Sequence, residues 1–294
     1  MNPVPFTLGP ALLFCPADRP DRFAKALERA DAVVLDLEDG VAPDRKEAAR
    51  QAVVDHPVDP ARAVVRVNGA GTRDHGADLA ALARTGYRTV LLPKADGRFV
   101  GPLVRPDGAP YAVVALCETA AGVLAAPALA ARPDVVALAW GADDLVASLG
   151  GTSSRRADGR YRDVARHARS AVLLAAGAAG KAAIDAVHLD IGDLDGLREE
   201  ALDAAAVGFA ASLCIHPSQV PVIRGAYAPS PDDVAGAREV LAAAARAPSS
   251  GVFALDGRMV DGPVLKQARA VLRHAGIDAG IDDAGIDDEE GSGR

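Results

Sequence analysis

Asp36, Glu38 and Asp39 fall within four positions at the end of the stretch VVLDLEDG. Apolar β-branched residues seek burial, whereas unpaired carboxylates seek water or a cation, so this run must leave its core at a polar site. Polar residues close other short apolar runs in the same way: Arg66 and Asn68, Lys94, Glu118, Asp143 with Asp144, Asp190, and His216. Carboxylates crowded into one mouth raise each other's pKa unless a cation neutralises them. Arg66 and Lys94 can pair with some of them. A hard divalent cation is the other solution, and Mg²⁺ takes one or two carboxylates together with water and substrate oxygens. Glu118 and Asp144, on neighbouring runs, are the preferred ligands. Cys15, Cys117 and Cys214 lie far apart with no C-x-x-C pair, and His is sparse, so zinc fits poorly. The plain alternative is that each acid caps a helix or forms a salt bridge.

The elements that must carry these residues are eight apolar runs. They are ALLFCP from Ala11, AVVLDLED from Ala32, AVVRVNG from Ala63, TVLLPKA from Thr89, YAVVALCET from Tyr111, VVALAWGADD from Val135, AIDAVHLD from Ala183 and FAASLCIHP from Phe209. Helical patterns such as DRFAKALERA, DRKEAARQAVV and GDLDGLREEALDAAAVG lie between most of them. Near-continuous apolar strands alternating with helices form parallel sheets covered on both faces. Eight such units predict a closed (β/α)₈ TIM barrel over residues 1–228, whose strand C-termini share one rim where barrel active sites lie. A doubly wound open sheet is the competing architecture. Residues 229–274 follow as a C-terminal helical extension, with Ser230, Pro231 and Asp233 forming a helix start and the segment from Pro248 a loop. Residues 275–294 repeat AGID and hold seven acids against one arginine, which predicts an acidic, disordered tail.

Composition excludes other classes. The formal net charge of −8 is concentrated in that tail, so the remainder carries no electrostatic footprint for nucleic acid or an anionic membrane. The opening MNPVPFTLGP lacks a basic stretch before an apolar core, and no uncharged apolar run can span a bilayer, so a cytoplasmic protein is expected. GAAGK at Gly177–Lys181 lacks the first glycine and the Ser/Thr of a phosphate loop and lies in a helical pattern. GGTSSRR from Gly150 to Arg156 reads equally as an anion-binding loop or a solvated one. His167 and His188 read as structural, and His216 as orienting a loop or the rim.

In combination, the motifs LFCPADRPDRFAKAL, VVLDLEDGV, VVRVNG, LLPKA, CETAAG, WGADDL, AIDAVHLDI, CIHPSQ and GRMVDGPVLKQA resemble the citrate lyase β-subunit-like (CitE-like) proteins of the HpcH/HpaI aldolase superfamily. The resemblance runs from about Leu13 to Leu272. It implies a TIM barrel, Mg²⁺, and cleavage or formation of a carbon–carbon bond on an acyl-CoA thioester. By resemblance, Glu118 and Asp144 hold the metal. Arg66 binds substrate and steadies developing negative charge, and Asp36, Glu38, Asp39 and Lys94 border the metal and substrate. Asp261 would be the acid/base, entering from a neighbouring subunit, so that the extension acts as an intersubunit lid in a homotrimer or hexamer. The implied reaction converts a malyl-CoA- or citramalyl-CoA-type thioester to acetyl-CoA and glyoxylate or pyruvate, or the reverse. Three departures stand out: Pro10 where the family often has Arg, Asp143 for a commoner Glu, and Cys15 with Ala17 where Val and Gly are frequent. The alternatives are a metal-dependent aldolase on free 2-oxo acids, a citrate lyase β subunit using an acyl-carrier thioester, and a non-catalytic metabolite-binding protein.

Overall fold

The computed structural model describes residues 6–98, 102–246 and 252–277. The chain divides into two compact units, Met1–Ala226 and Tyr227–Arg294. In the first, eight parallel strands close into a barrel in sequence order, the last pairing with the first. They are β1 (Ala11–Pro16), β2 (Ala32–Asp36), β3 (Ala63–Arg66), β4 (Thr89–Leu92), β5 (Ala112–Cys117), β6 (Val135–Trp140), β7 (Ala182–Asp185) and β8 (Ala211–Cys214). The helices of this unit are α1 (Phe23–Arg29), α2 (Lys46–Asp55), α3 (Arg73–Leu82), α4 (Ala120–Ala130), α5 (Ala142–Ser148), α6 (Asp163–Ala178), α7 (Leu194–Val207) and α8 (Gln219–Tyr227). Among the described residues no helix separates β4 from β5. This is the (β/α)₈ architecture that the alternating runs predict.

The pleat explains how the barrel presents its site. Successive residues of a strand face opposite sides, so one inner row takes every second residue. One buried cluster draws on all eight strands: Leu12, Ala32 and Val34, Val64, Leu91, Val114 and Leu116, Ala137 and Ala139, Ile184, and Ala211 and Leu213. Extending these rows by two residues reaches Phe14, Asp36, Arg66, Glu118 and Gly141. The apolar filling of the barrel therefore passes directly into an aromatic ring, two carboxylates, a guanidinium and a glycine at the C-terminal end.

Strand ends are set by side chains that capture backbone donors. β2 stops at Asp36 because its carboxylate accepts the N–H groups of Glu38 (2.9 Å) and Gly40 (2.8 Å), turning the chain. β7 stops at Asp185, which accepts Trp140 Nε1 (2.6 Å) and the guanidinium of Arg169. The apolar run predicts Asp190 at this strand end. It lies instead in the following loop, exposed, accepting Gly192 N–H. His216 likewise lies past β8: Gln219 Oε1 takes the N–H groups of Ile215 and His216 out of the ladder. Its Nδ1 meets Ser218 Oγ at 2.7 Å, so His216 orients its loop.

Gly122, in the first turn of α4, shows how tightly that helix sits. A Cβ there would fall 2.4 Å from the backbone oxygen of Ala95. Gly122→Ala is expected to cost about 1–3 kcal/mol of stability, because backbone on both sides must shift. Chemical denaturation with the slope held equal to wild type checks it.

In the second unit, α9 (Pro231–Arg246) and α10 (Gly262–His274) pack through Ala237, Leu241, Ala268 and Leu272. α9 opens with a reciprocal cap: Ser230 Oγ accepts Asp233 N–H (3.1 Å) and Asp233 Oδ2 accepts Ser230 N–H (3.0 Å). The segment expected as a loop contains an antiparallel hairpin, β9 (Phe253–Leu255) and β10 (Arg258–Val260). Asp256 (φ 48°) and Gly257 (φ 75°) make its two-residue turn, the left-handed pair that matches strand twist. The acidic repeat from Asp278 onward lies outside the described residues. No helix among the described residues is long and apolar enough to cross a membrane.

Candidate active site

Asp36 and Arg66 face each other in the β2–β3 register, which brings their inner-row side chains together. Arg66 Nε and Nη2 donate to Asp36 Oδ1 (2.7 Å) and Oδ2 (2.6 Å), a bidentate pair. Arg66 also lies 4.7 Å above the Phe14 ring, and its Nη1 is 3.2 Å from Glu38 Oε2. The guanidinium is thus locked on three sides, with N–H groups left over to meet a ligand. Asp36 is 3% exposed and already accepts four hydrogen bonds, two from Arg66 and two from backbone. All four bonds run to groups of the protein itself, so in this structure the Asp36 carboxylate clamps Arg66 in place. Gly40 permits this, since a Cβ there would fall 2.3 Å from Asp36 Oδ2. Asp36→Ala should leave a buried guanidinium without its partner, costing about 3–5 kcal/mol. Thermal unfolding should show that loss, and Asp36→Asn should recover part of it.

Glu118 follows β5 and is 2% exposed. Its Oε1 accepts the backbone N–H of Lys94 at 2.9 Å. Gly141 makes room for it: a Cβ there would lie 3.0 Å from Glu118 Cβ. Burial, then the charges of Asp144 and Glu38, push the Glu118 carboxyl up to about 8. Asp144 is not on a strand, as its run suggested, but in the first turn of α5, where the helix dipole favours a carboxylate. Its side chain is 45% exposed and opens to solvent. Its neighbour Asp143 turns away and accepts Ser154 Oγ at 2.9 Å, tying α5 to the loop before α6.

Lys94 sits among these acids. Its Nζ is 2.6 Å from Glu38 Oε1, 3.5 Å from Asp39 Oδ2, and 3.9 Å from both Glu118 Oε1 and Asp144 Oδ1. Burial would depress its pKa, but the Glu38 hydrogen bond and the surrounding carboxylates hold it above the usual lysine value. Its backbone is left-handed (φ 50°), which costs a β-carbon-bearing residue about 1–2 kcal/mol.

Among the described residues no three His, Cys, Asp or Glu side chains form a metal cage. A carboxyl whose pKa is raised by burial and by neighbouring acids, beside an open one, is nevertheless a donor set whose negative charge one lysine only partly offsets. Two hard oxygens at a solvent-open mouth match Mg²⁺, which keeps water and substrate among its ligands. The residues present therefore fit such an ion.

Arg66, Glu118, Lys94, Asp36, Glu38 and Asp144 converge at this end of the barrel; Asp261 belongs to the second unit. There it caps α10, its Oδ1 accepting Val264 N–H at 3.3 Å. Arg155 and Arg156 of the GGTSSRR loop pair with Glu200 and Asp163, so that loop offers no free pair of cations. His188 is buried and bonded to Glu200 (2.8 Å), and His167 is exposed. Sequence patterning does not single out Phe14, Gly40, Gly141 or Lys46, all of which shape the site. Lys46 Nζ donates to Leu37 O, Glu38 O and Asn68 Oδ1, pinning the acidic loop. Glycines beside each acidic motif (LEDG, WGADD) are the available signal; nothing local marks Lys46.

Known proteins share this arrangement of sequence and fold. The citrate lyase subunit beta-like protein of Mycobacterium tuberculosis is 58% identical over 268 residues, 91% of this chain and 96% of that one. A crystal structure of CitE from the same organism, in complex with magnesium, acetoacetate and coenzyme A, matches with a TM-score of 0.85 and 58% identity. The match covers 92% of this chain and 99% of that one. The mitochondrial citramalyl-CoA lyase of Rattus norvegicus is 31% identical over 290 residues, 89% of this chain and 84% of that one. The family model HpcH/HpaI aldolase/citrate lyase matches residues 11–99 and 103–217, the strands and rim that build the site. On that match and these identities, the chain belongs to the HpcH/HpaI aldolase/citrate lyase family.

Proposed function

We propose that the protein is a Mg²⁺-dependent carbon–carbon lyase acting on a 3-hydroxyacyl-CoA thioester of the citramalyl-CoA or malyl-CoA type. The products are acetyl-CoA and a 2-oxo acid, pyruvate or glyoxylate, and the condensation is the reverse. The observation that carries this reading is the pair of carboxylates at one rim: buried Glu118, pushed up to about 8, and solvent-open Asp144, both 3.9 Å from the Lys94 ammonium, on the same barrel end as the clamped Arg66. The magnesium and coenzyme A of the M. tuberculosis relative, and the citramalyl-CoA lyase named in Rattus norvegicus, support it.

Glu118 and Asp144 would hold the ion, which supplies Lewis acidity toward the hydroxyl and carboxylate oxygens of a 3-hydroxy acid. The substrate hydroxyl gives its proton to solvent water at the open mouth beside Asp144, and the bond to the thioester α-carbon breaks. That electron pair becomes the thioester enolate, and the former hydroxyl carbon becomes the carbonyl of the 2-oxo acid. Arg66 donates to the enolate oxygen. Because Asp36 and Phe14 hold it in place beforehand, no reorganisation is needed when charge develops there. Lys94, anchored by Glu38, lines the approach and orients the substrate carboxylate. Asp261, carried by a neighbouring copy in a homotrimer, delivers a proton to the enolate carbon, or removes it in the condensing direction.

The test is cleavage of both stereoisomers of malyl-CoA and citramalyl-CoA with Mg²⁺, against an EDTA control. Release of glyoxylate or pyruvate from one of them is expected. Silence across the panel, with Mg²⁺ binding intact, overturns the CoA-ester reading. It would turn attention to an acyl-carrier thioester, which the citrate lyase subunit name of the M. tuberculosis relative favours.

A further inference from the structure

Lys94 is placed in a way the proposed chemistry does not require. A lysine that merely lines a substrate path needs no strained backbone, and it gains nothing by standing between two carboxylates meant for a metal. Here both ends of one residue converge on one oxygen. The Lys94 N–H donates to Glu118 Oε1 at 2.9 Å, and its ammonium stands 3.9 Å from the same atom. The ammonium is equally 3.9 Å from Asp144 Oδ1, the other metal-facing oxygen. On its far side it has a separate anchorage, Glu38 Oε1 at 2.6 Å and Asp39 Oδ2 at 3.5 Å. The left-handed backbone at Lys94 (φ 50°) maintains this arrangement. Among the described residues, the ion pairs that reach Glu118 and Asp144 come from this one ammonium.

We infer that Lys94 is the built-in counter-ion of the Glu118–Asp144 pair. In metal-free protein its charge offsets the repulsion between the two carboxylates. When Mg²⁺ enters, the ammonium is repelled and is retained by Glu38 and Asp39, close enough to lower the metal's affinity. A carboxylate-bearing substrate arriving at the site meets this displaced ammonium as well as the metal. The inference rests on the metal reading given above. It adds that metal affinity is restrained by a fixed positive charge and that metal and carboxylate substrate reinforce each other's binding.

The experiment is titration calorimetry of Mg²⁺ into metal-stripped full-length protein at fixed ionic strength and about pH 9.5, where Glu118 stays mainly ionised even without the Lys94 charge that lowers its pKa. It compares wild type, Lys94→Gln and Lys94→Arg, with metal-free thermal unfolding of each. Lys94→Gln should tighten Mg²⁺ binding by about tenfold, since a positive charge near the ion is removed in a partly buried site. Its metal-free Tm should fall while its gain on adding Mg²⁺ grows. Lys94→Arg, which keeps the charge, should stay close to wild type. If Lys94→Gln does not fold, Lys94→Asn takes its place, because Asn tolerates a left-handed backbone. Unchanged or weaker Mg²⁺ binding in the neutral variant, with a normal wild-type isotherm, overturns the counter-ion role alone. No Mg²⁺ binding in wild type or variant overturns the metal reading, and this inference with it.

Discussion

Glu118→Gln should make the metal-free protein more stable and the enzyme inactive. The carboxyl of Glu118 is held near 8 in the folded chain, mainly by burial and then by Asp144 and Glu38, against an ordinary value of 4.5. For a folded-state pKa raised in this way, the stability contribution is fully present below the unfolded pKa. It is lost as pH rises through about 8. Between those limits the unfolded chain ionises Glu118 freely while the folded chain resists. Glutamine is the isostere of the protonated acid and can still accept the Lys94 N–H. Metal-free wild type and Glu118→Gln should therefore unfold at similar temperatures at about pH 5, and the variant should be about 3–5 °C higher at about pH 8.5.

On the ligand assignment proposed above, the same carboxylate makes Mg²⁺ binding pH-dependent. Binding requires the ionised form, so between about pH 6 and 8 the apparent affinity should rise by up to roughly tenfold per unit. Mg²⁺ should accordingly raise the wild-type Tm more at about pH 8.5 than at about pH 6, and leave Glu118→Gln unmoved at both. Turnover should fall by about a thousandfold or more, since the variant loses the charge that polarises the substrate. Retention of the Mg²⁺-induced stabilisation in Glu118→Gln would remove Glu118 as a ligand.

Much of this arrangement is legible in the residues alone. A period of two within each apolar run puts Val34 and Asp36, Val64 and Arg66, and Leu116 and Glu118 on single inner rows, and parallel strands gather their ends. The apolar pattern overruns two strands for a physical reason. VHLDI after β7 is apolar enough to continue the ladder, but Asp185 accepts the N–H of Ala186 and bonds Trp140 and Arg169, and the chain departs. Leu189 and Ile191 are then left exposed. Gln219 does the same to Ile215 and His216 from several residues downstream, a capture no local pattern announces. The hairpin of β9 and β10 is available in principle from Asp256-Gly257 between apolar residues. Lys46 is not: from the first residue of α2 it bonds Leu37 O, Glu38 O and the distant Asn68, a convergence that only the folded chain shows. Asp36 shows the limit most clearly. Its residue type predicts a site acid, but only the count of its four accepted hydrogen bonds makes it the support of Arg66.

Asp261→Asn should abolish most turnover without touching the fold. Asp261 caps α10 with one carboxylate oxygen, and asparagine caps a helix about as well, so unfolding should be unchanged within about 0.5 kcal/mol. Asparagine cannot supply or remove a proton, and kcat should fall by about 10²–10⁴-fold while KM changes little. Alanine is the poorer variant, because it removes cap and proton donor together. Unchanged turnover in Asp261→Asn, with intact assembly, would exclude the residue from the reaction. A mixing experiment tests whether it works in a neighbouring copy. Arg66→Ala chains keep Asp261 but lack the proposed enolate donor; Asp261→Asn chains keep the barrel site but lack the proposed acid. Each alone should be nearly inactive. If Asp261 serves the barrel of a neighbour, co-refolded mixtures should recover activity, because some sites then combine an intact Arg66 with an intact Asp261. If it serves its own barrel, no mixture can unite the two, and the mixture should remain as inactive as its parts.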